Sequence, residues 1–141
     1  MARLEGLIKI RKQTVEEKQK ILGGILNELS VLEHRKEALE TRLQNEKDAI
    51  AETDDITLQG WYGRFSGAVR AELEMLSEDI QKVETRLDVI REEVRAAFMA
   101  LKQVEIVDER RRQEVLDEIK ARESRLMDEI GIDTFRKKTE G

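Results

Sequence analysis

A single imidazole, His34, stands in a chain of 141 residues that contains no cysteine. Acid–base chemistry by histidine needs a partner group within hydrogen-bond reach, and a zinc centre needs three or four His, Cys or carboxylate ligands. His34 has no second imidazole to join it, and it falls at an outward helical position in the pattern described below. No Walker-type phosphate loop and no nucleophile elbow is present. Carboxylates are plentiful, but each has a ready place as a solvated helix residue. The sequence therefore points to no catalytic residue, no cofactor and no metal. The chemistry its residues can do is recognition. Arg110-Arg111-Arg112 places three guanidinium forks in a row, suited to carboxylates on a partner. Arg3, Lys9, Arg11 and Lys12 make the N-terminal twenty residues basic, six Lys/Arg against three Glu. Trp61, Tyr62 and Phe65 gather three of the chain's five aromatic side chains, and an exposed tryptophan is a natural anchor for a partner.

The elements that must position these residues are long helices. Charged residues make up 40% of the chain, aromatics 4%, and proline is absent. So little aromatic bulk does not fill a globular core, whereas Glu, Lys, Arg, Leu and Ala in this abundance favour exposed helices. Nothing approaches the roughly 20 apolar residues of a membrane span. The first twenty residues lack the unbroken apolar run of a secretory leader. A net charge of −5, with the excess of acid lying between Ile21 and Val107, argues against nucleic acid as a partner.

Apolar residues recur in alternating steps of four and three. With Leu4 at position d and Ile8 at position a, the a series reads Ile8, Val15, Leu22, Leu29, Lys36, Leu43, Ile50. The d series reads Leu4, Arg11, Lys18, Ile25, Leu32, Leu39, Glu46, and ten of the fourteen sites are apolar. From Val69 to Val104 the same steps pass through eleven sites, all apolar. This 3.5-residue period marks a left-handed coiled coil. Between the halves lies Thr53-Asp54-Asp55-Ile56-Thr57. Acidic residues suit a helix start, so Asp55 or Thr57 is the expected N-cap. The expected elements are a helix over 3–52, a turn over 53–57, a helix over 58–130 and a frayed tail over 131–141, in one structural unit. The fold class is all-α: a long two-helix antiparallel coiled-coil hairpin with a C-terminal helical overhang.

The register that keeps the turn short pairs residues whose numbers sum to 112, such as Leu22 with Ile90 and Leu32 with Ile80. It sets Glu46 against Ser66 in one polar layer. At Asp108, whose partner would be Leu4, the pattern breaks. A shifted stripe follows: Leu116, Ile119, Leu126, Ile130. These have no partner within the chain and so mark a surface for another protein; the plainer reading is a mobile helix end. Gly131 is placed as the C-cap. The aromatics beside the turn either cap the hairpin or receive a partner. A second outward stripe on helix one, Leu7, Ile10, Ile21, Gly24 and Val31, suits a third helix or is ordinary surface apolarity.

The chain resembles the FliJ family of flagellar and type III secretion export proteins. The resemblance rests on the Leu4…Leu7-Ile8…Arg11 opening and on the aromatic-bearing turn before Arg64…Ala68-Val69. It continues in the tail Glu109-Arg110-Arg111-Arg112…Asp128-Glu129-Ile130…Phe135-Arg136-Lys137-Lys138. It implies a cytoplasmic, stalk-like component without enzymatic activity, working at the cytoplasmic face of the inner membrane and touching the membrane only through partners. The implied partners are a hexameric export ATPase, an export gate protein and export chaperones. Carried onto this chain, the ATPase end comprises Arg3, Leu7, Lys9, Arg11, Lys12, Arg110, Arg111, Arg112, Leu116, Ile119, Leu126 and Ile130. The gate end comprises Leu58, Trp61, Tyr62 and Phe65. The competing reading is a generic coiled-coil scaffold or chaperone-like hairpin with no link to secretion.

Overall fold

The computed structural model describes residues 2–140, with side chains described for residues 4–139. Two helices account for it: α1, Ala2–Ala51, and α2, Ile56–Glu140. Among the described residues no helix is long and apolar enough to cross a membrane.

The connection is built by Asp55. Its carboxylate Oδ1 accepts the Thr57 amide at 2.9 Å, and its carbonyl accepts the Gln59 amide at 3.1 Å, the first turn of α2. Asp55 is thus the N-cap, satisfying one of the amides that a helix start leaves without an intrahelical partner. Helix α2 consequently opens at Ile56, two residues before the start expected at 58. On the other side the Thr53 amide reaches the Ile50 carbonyl at 3.2 Å, and the Gln59 side-chain amide donates to the Thr53 carbonyl at 3.2 Å. The turn is therefore tied to the last turn of α1 through Ile50 and to the first turn of α2 through Gln59.

The far end of α2 differs from the sequence expectation. The helix does not stop at 130 with a tail over 131–141; it runs through Gly131 to Glu140. A glycine ends a helix by taking a left-handed conformation, and no described glycine here has positive φ. One helical glycine costs about 1 kcal/mol relative to alanine. That is too little to stop a helix with no proline beyond it. The Thr134 and Thr139 hydroxyls each donate to the carbonyl four residues back at 2.8 Å. Lys137 and Lys138 lie in the last turn, where cations meet the negative end of the helix dipole.

The chain divides into two compact units, one formed by Thr14–Ala97 and the other by Met1–Gln13 with Phe98–Gly141. In the first, α1 and α2 run antiparallel. Its buried apolar residues are Val15 and Ile25 of α1, with Val69, Leu76, Val83, Leu87 and Ile90 of α2. All occupy heptad seam positions. One cluster joins Ile25, Val83, Leu87 and Ile90, with Leu22, Leu29 and Leu32 packed against it. The pairs expected from the sequence, Ile25/Leu87, Leu22/Ile90 and Leu29/Val83, all lie within this cluster, and Glu28 meets Arg86 beside them. Two helices cannot wrap a side chain on all sides, and no large described side chain falls below 2% exposure. Ser66, in the polar layer near the turn, is buried and donates to the Gly63 carbonyl at 3.1 Å, which removes the penalty of hiding its hydroxyl.

In the second unit, Leu101 and Asp108 are buried, and Leu4, Leu7, Ile8 and Val104 are half-buried. From Glu109 to Thr139 every residue is exposed. At 1.5 Å per residue this stretch of α2 extends about 45 Å.

Candidate functional site

The side chains singled out for recognition sit on helix surfaces, so their geometry follows from helix phase. In the unit containing both terminal segments, Leu7 is half-buried and Lys9, Arg11 and Lys12 are exposed. The side chain of Arg3 lies outside the described residues. Arg110, Arg111 and Arg112 are exposed as well. The N-terminal basic residues and the arginine triplet therefore belong to one compact unit. Within the triplet the roles separate. Arg112 Nε donates to Asp108 Oδ2 at 3.1 Å, across one turn. That pair accounts for how an aspartate sits nearly buried at a seam position. Arg110 and Arg111 make no ion pair among the described residues.

Beyond Asp108 the four stripe residues are open to solvent: Leu116 at 51%, Ile119 at 45%, Leu126 at 57% and Ile130 at 53%. A helical net adds two residues that the strict spacing did not select, Val115 and Met127, exposed at 41% and 69%. Each adjoins a stripe residue, so the apolar face is broader than the seam pattern alone implies. Glu123 interrupts it in the middle. Arg122 pairs with Glu118 at 2.8 Å, and Gln113 with Asp117 at 3.0 Å, both along the helix. The polar residues beside the stripe are thus engaged with one another, and the apolar side chains are what this stretch offers to a partner.

Near the turn, Leu58 and Trp61 are exposed and Tyr62 and Phe65 are half-buried. Trp61 stacks on Phe65 with ring centroids 5.1 Å apart and planes within 10°. The Arg42 guanidinium covers the Phe65 ring at 4.9 Å. Such contacts are worth about 0.5–1.5 kcal/mol for the ring pair and about 1 kcal/mol for the cation. They hold Trp61 in place while leaving 41% of it accessible. Sequence reasoning identified the three aromatics but not Arg42, whose signal was its seven-residue step from Arg35 on the same flank. It also missed Ile56, which is 82% exposed as the first residue of α2.

His34 Nδ1 donates to the Ser30 carbonyl of its own helix at 2.7 Å. Among the described residues no group of three His, Cys, Asp or Glu could hold a metal. Grooves on the surface are open shelves along helix flanks, such as that between His34 and Glu46 on α1.

Comparison with known proteins gives one result. The family model described as the flagellar FliJ protein matches residues 1–140. No curated protein and no solved structure matches the chain.

Proposed function

This chain belongs to the flagellar FliJ protein family, a component of the flagellar export apparatus, and from that premise we propose that it works as a non-enzymatic, stalk-like cytoplasmic element. Its terminal segments contact the hexameric export ATPase. The turn region, through Leu58, Trp61, Tyr62 and Phe65, contacts the export gate, and export chaperones use the remaining helical surface. The inner membrane is reached only through these partners.

One observation supports the ATPase contact above others. Past its last buried position, Asp108, helix α2 presents 31 exposed residues, 109–139, with the apolar face of Leu116, Ile119, Leu126 and Ile130 open to solvent. Contiguous exposed apolar surface on a helix is the form in which helix-in-groove partners are recognised. The basic residues of the same unit, Lys9, Arg11, Lys12, Arg110 and Arg111, would raise the rate of encounter with an acidic partner and make it dependent on salt.

The test is reconstitution with the cognate export ATPase. A chain ending at residue 113 keeps the buried seam, so its helicity per residue is unchanged. Its effect on ATPase ring assembly and ATP turnover is expected to disappear. A truncated chain that stimulates the ATPase as the full chain does would dismiss the overhang as the contact. If the full chain has no effect on the ATPase either, the scaffold reading replaces this one.

A further inference from the structure

Three of the chain's eight glycines, Gly60, Gly63 and Gly67, fall between Ile56 and Ala68, at the start of α2. None has positive φ, and a Cβ added at any of them would meet nothing within 4 Å. Neither the backbone conformation nor a close approach requires glycine at these positions. What glycine does there is weaken the helix, because it gives up more backbone freedom on folding than any other residue. Gly23 and Gly24 carry the same penalty in α1. They are flanked by Leu22 and Ile25 of the main cluster, and packing holds the helix there.

Packing does not hold the start of α2 in the same way. From Ile56 to Ala68 the one buried side chain is Ser66, a polar one, while Tyr62 and Phe65 are half-buried. On α1, Leu43, Glu46 and Ile50 are half-buried and nothing from Thr41 to Ala51 is buried. Farther along, α2 buries Val69, Leu76, Val83, Leu87 and Ile90. The ion pairs stop as well: among the described residues none joins the helices on the turn side of Arg35–Glu72. What fastens this end is the Arg42 guanidinium over Phe65, the Trp61–Phe65 stack and the Asp55 cap. A segment with few buried apolar contacts and low helix propensity opens at a lower free energy than the whole molecule.

We propose that the turn end, residues 42–68, is a separately opening unit of the hairpin. Its two strands of helix part and lose their structure while the seam from Val69 to Ile90 stays folded. Opening releases Phe65 from Arg42 and from Trp61, so both rings become fully accessible. The glycines set how often this happens, and the ring contacts and the cap close it again. The device follows from the packing of this end alone, so it stands whether or not the turn region contacts the export gate.

The experiment is amide hydrogen exchange of the full chain, read by mass spectrometry under conditions where the rate follows the opening equilibrium. Protection of the amides of residues 62–68 is expected to be at least about tenfold lower than that of residues 83–91, which lie in the main cluster. Gly63→Ala should raise protection at 62–68 about fivefold. Ile90→Val, at a side chain 3% exposed, should lower protection at 83–91 about fivefold. It should leave 62–68 unchanged, because Ile90 stays packed when the turn end opens. Equal protection of the two segments would overturn the proposal. So would an Ile90→Val chain in which both segments lose protection alike, which would make the hairpin one cooperative unit, or a Gly63→Ala chain with unaltered protection at 62–68.

Discussion

Asp55 shows how much one side chain can settle. Its carboxylate bonds the Thr57 amide and fixes where α2 begins. Asp55→Ala is expected to lower stability by about 1 kcal/mol, the usual worth of an N-cap, visible as a lower midpoint in urea unfolding. Asp108 presents the opposite case. It is 8% exposed at a seam position whose register partner is Leu4, and its ion pair is with Arg112 on its own helix. Replacing a buried charge by an apolar group of similar size is often neutral or stabilising by about 1–4 kcal/mol. Asp108→Leu should therefore raise the unfolding midpoint, at the lower end of that range because Arg112 is exposed and loses little. A lower midpoint would mean that Asp108 does more for the fold than its single ion pair indicates. Both positions were legible in the sequence, Asp55 by its cap chemistry and Asp108 as a break in the apolar series. The burial of Asp108 was not, because a charge in a seam reads from sequence as the end of packing.

At the scale of the helices, the 3.5-residue spacing carried the argument. It located the seam from Leu22 to Ile90 and its register because each apolar position is useful only when it meets another. The same logic separates two kinds of exposed and buried leucine. Leu87→Ala removes a side chain that is 5% exposed within the main cluster and should cost about 2–4 kcal/mol. Leu116→Ala, on the overhang, should change stability by less than about 0.5 kcal/mol while weakening ATPase contact. Denaturant unfolding of the two variants side by side checks the first half of this, and titration of the ATPase the second. A destabilisation by Leu116→Ala equal to that of Leu87→Ala would show that the overhang is packed against something in the free chain. The end of α2 was harder to read. Gly131 looks like a cap because glycine usually is one near a helix end, but the outcome depends on whether the residues beyond it can sustain a helix, and Thr134 to Lys138 can.

For the molecule as a whole, the account joins a family assignment to an asymmetry between its helices. α1 has 50 residues and α2 has 85, so antiparallel pairing leaves one helix with length to spare, and that surplus carries exposed apolar residues. Three interhelical ion pairs beside the seam are all partly exposed and contribute little to stability each; the seam itself is what holds the chain folded. The central claim is that α1 and α2 bury their seams against each other within one chain. Spin labels at positions 28 and 86, where Glu28 and Arg86 now meet at 3.1 Å, test it directly by pulsed dipolar spectroscopy on labelled chain diluted into unlabelled chain. Helix axes pack about 8–10 Å apart, so the account predicts one short distance, within about 20 Å once the label arms are included, that survives dilution. A short distance that vanishes on dilution, or a long one throughout, would contradict it.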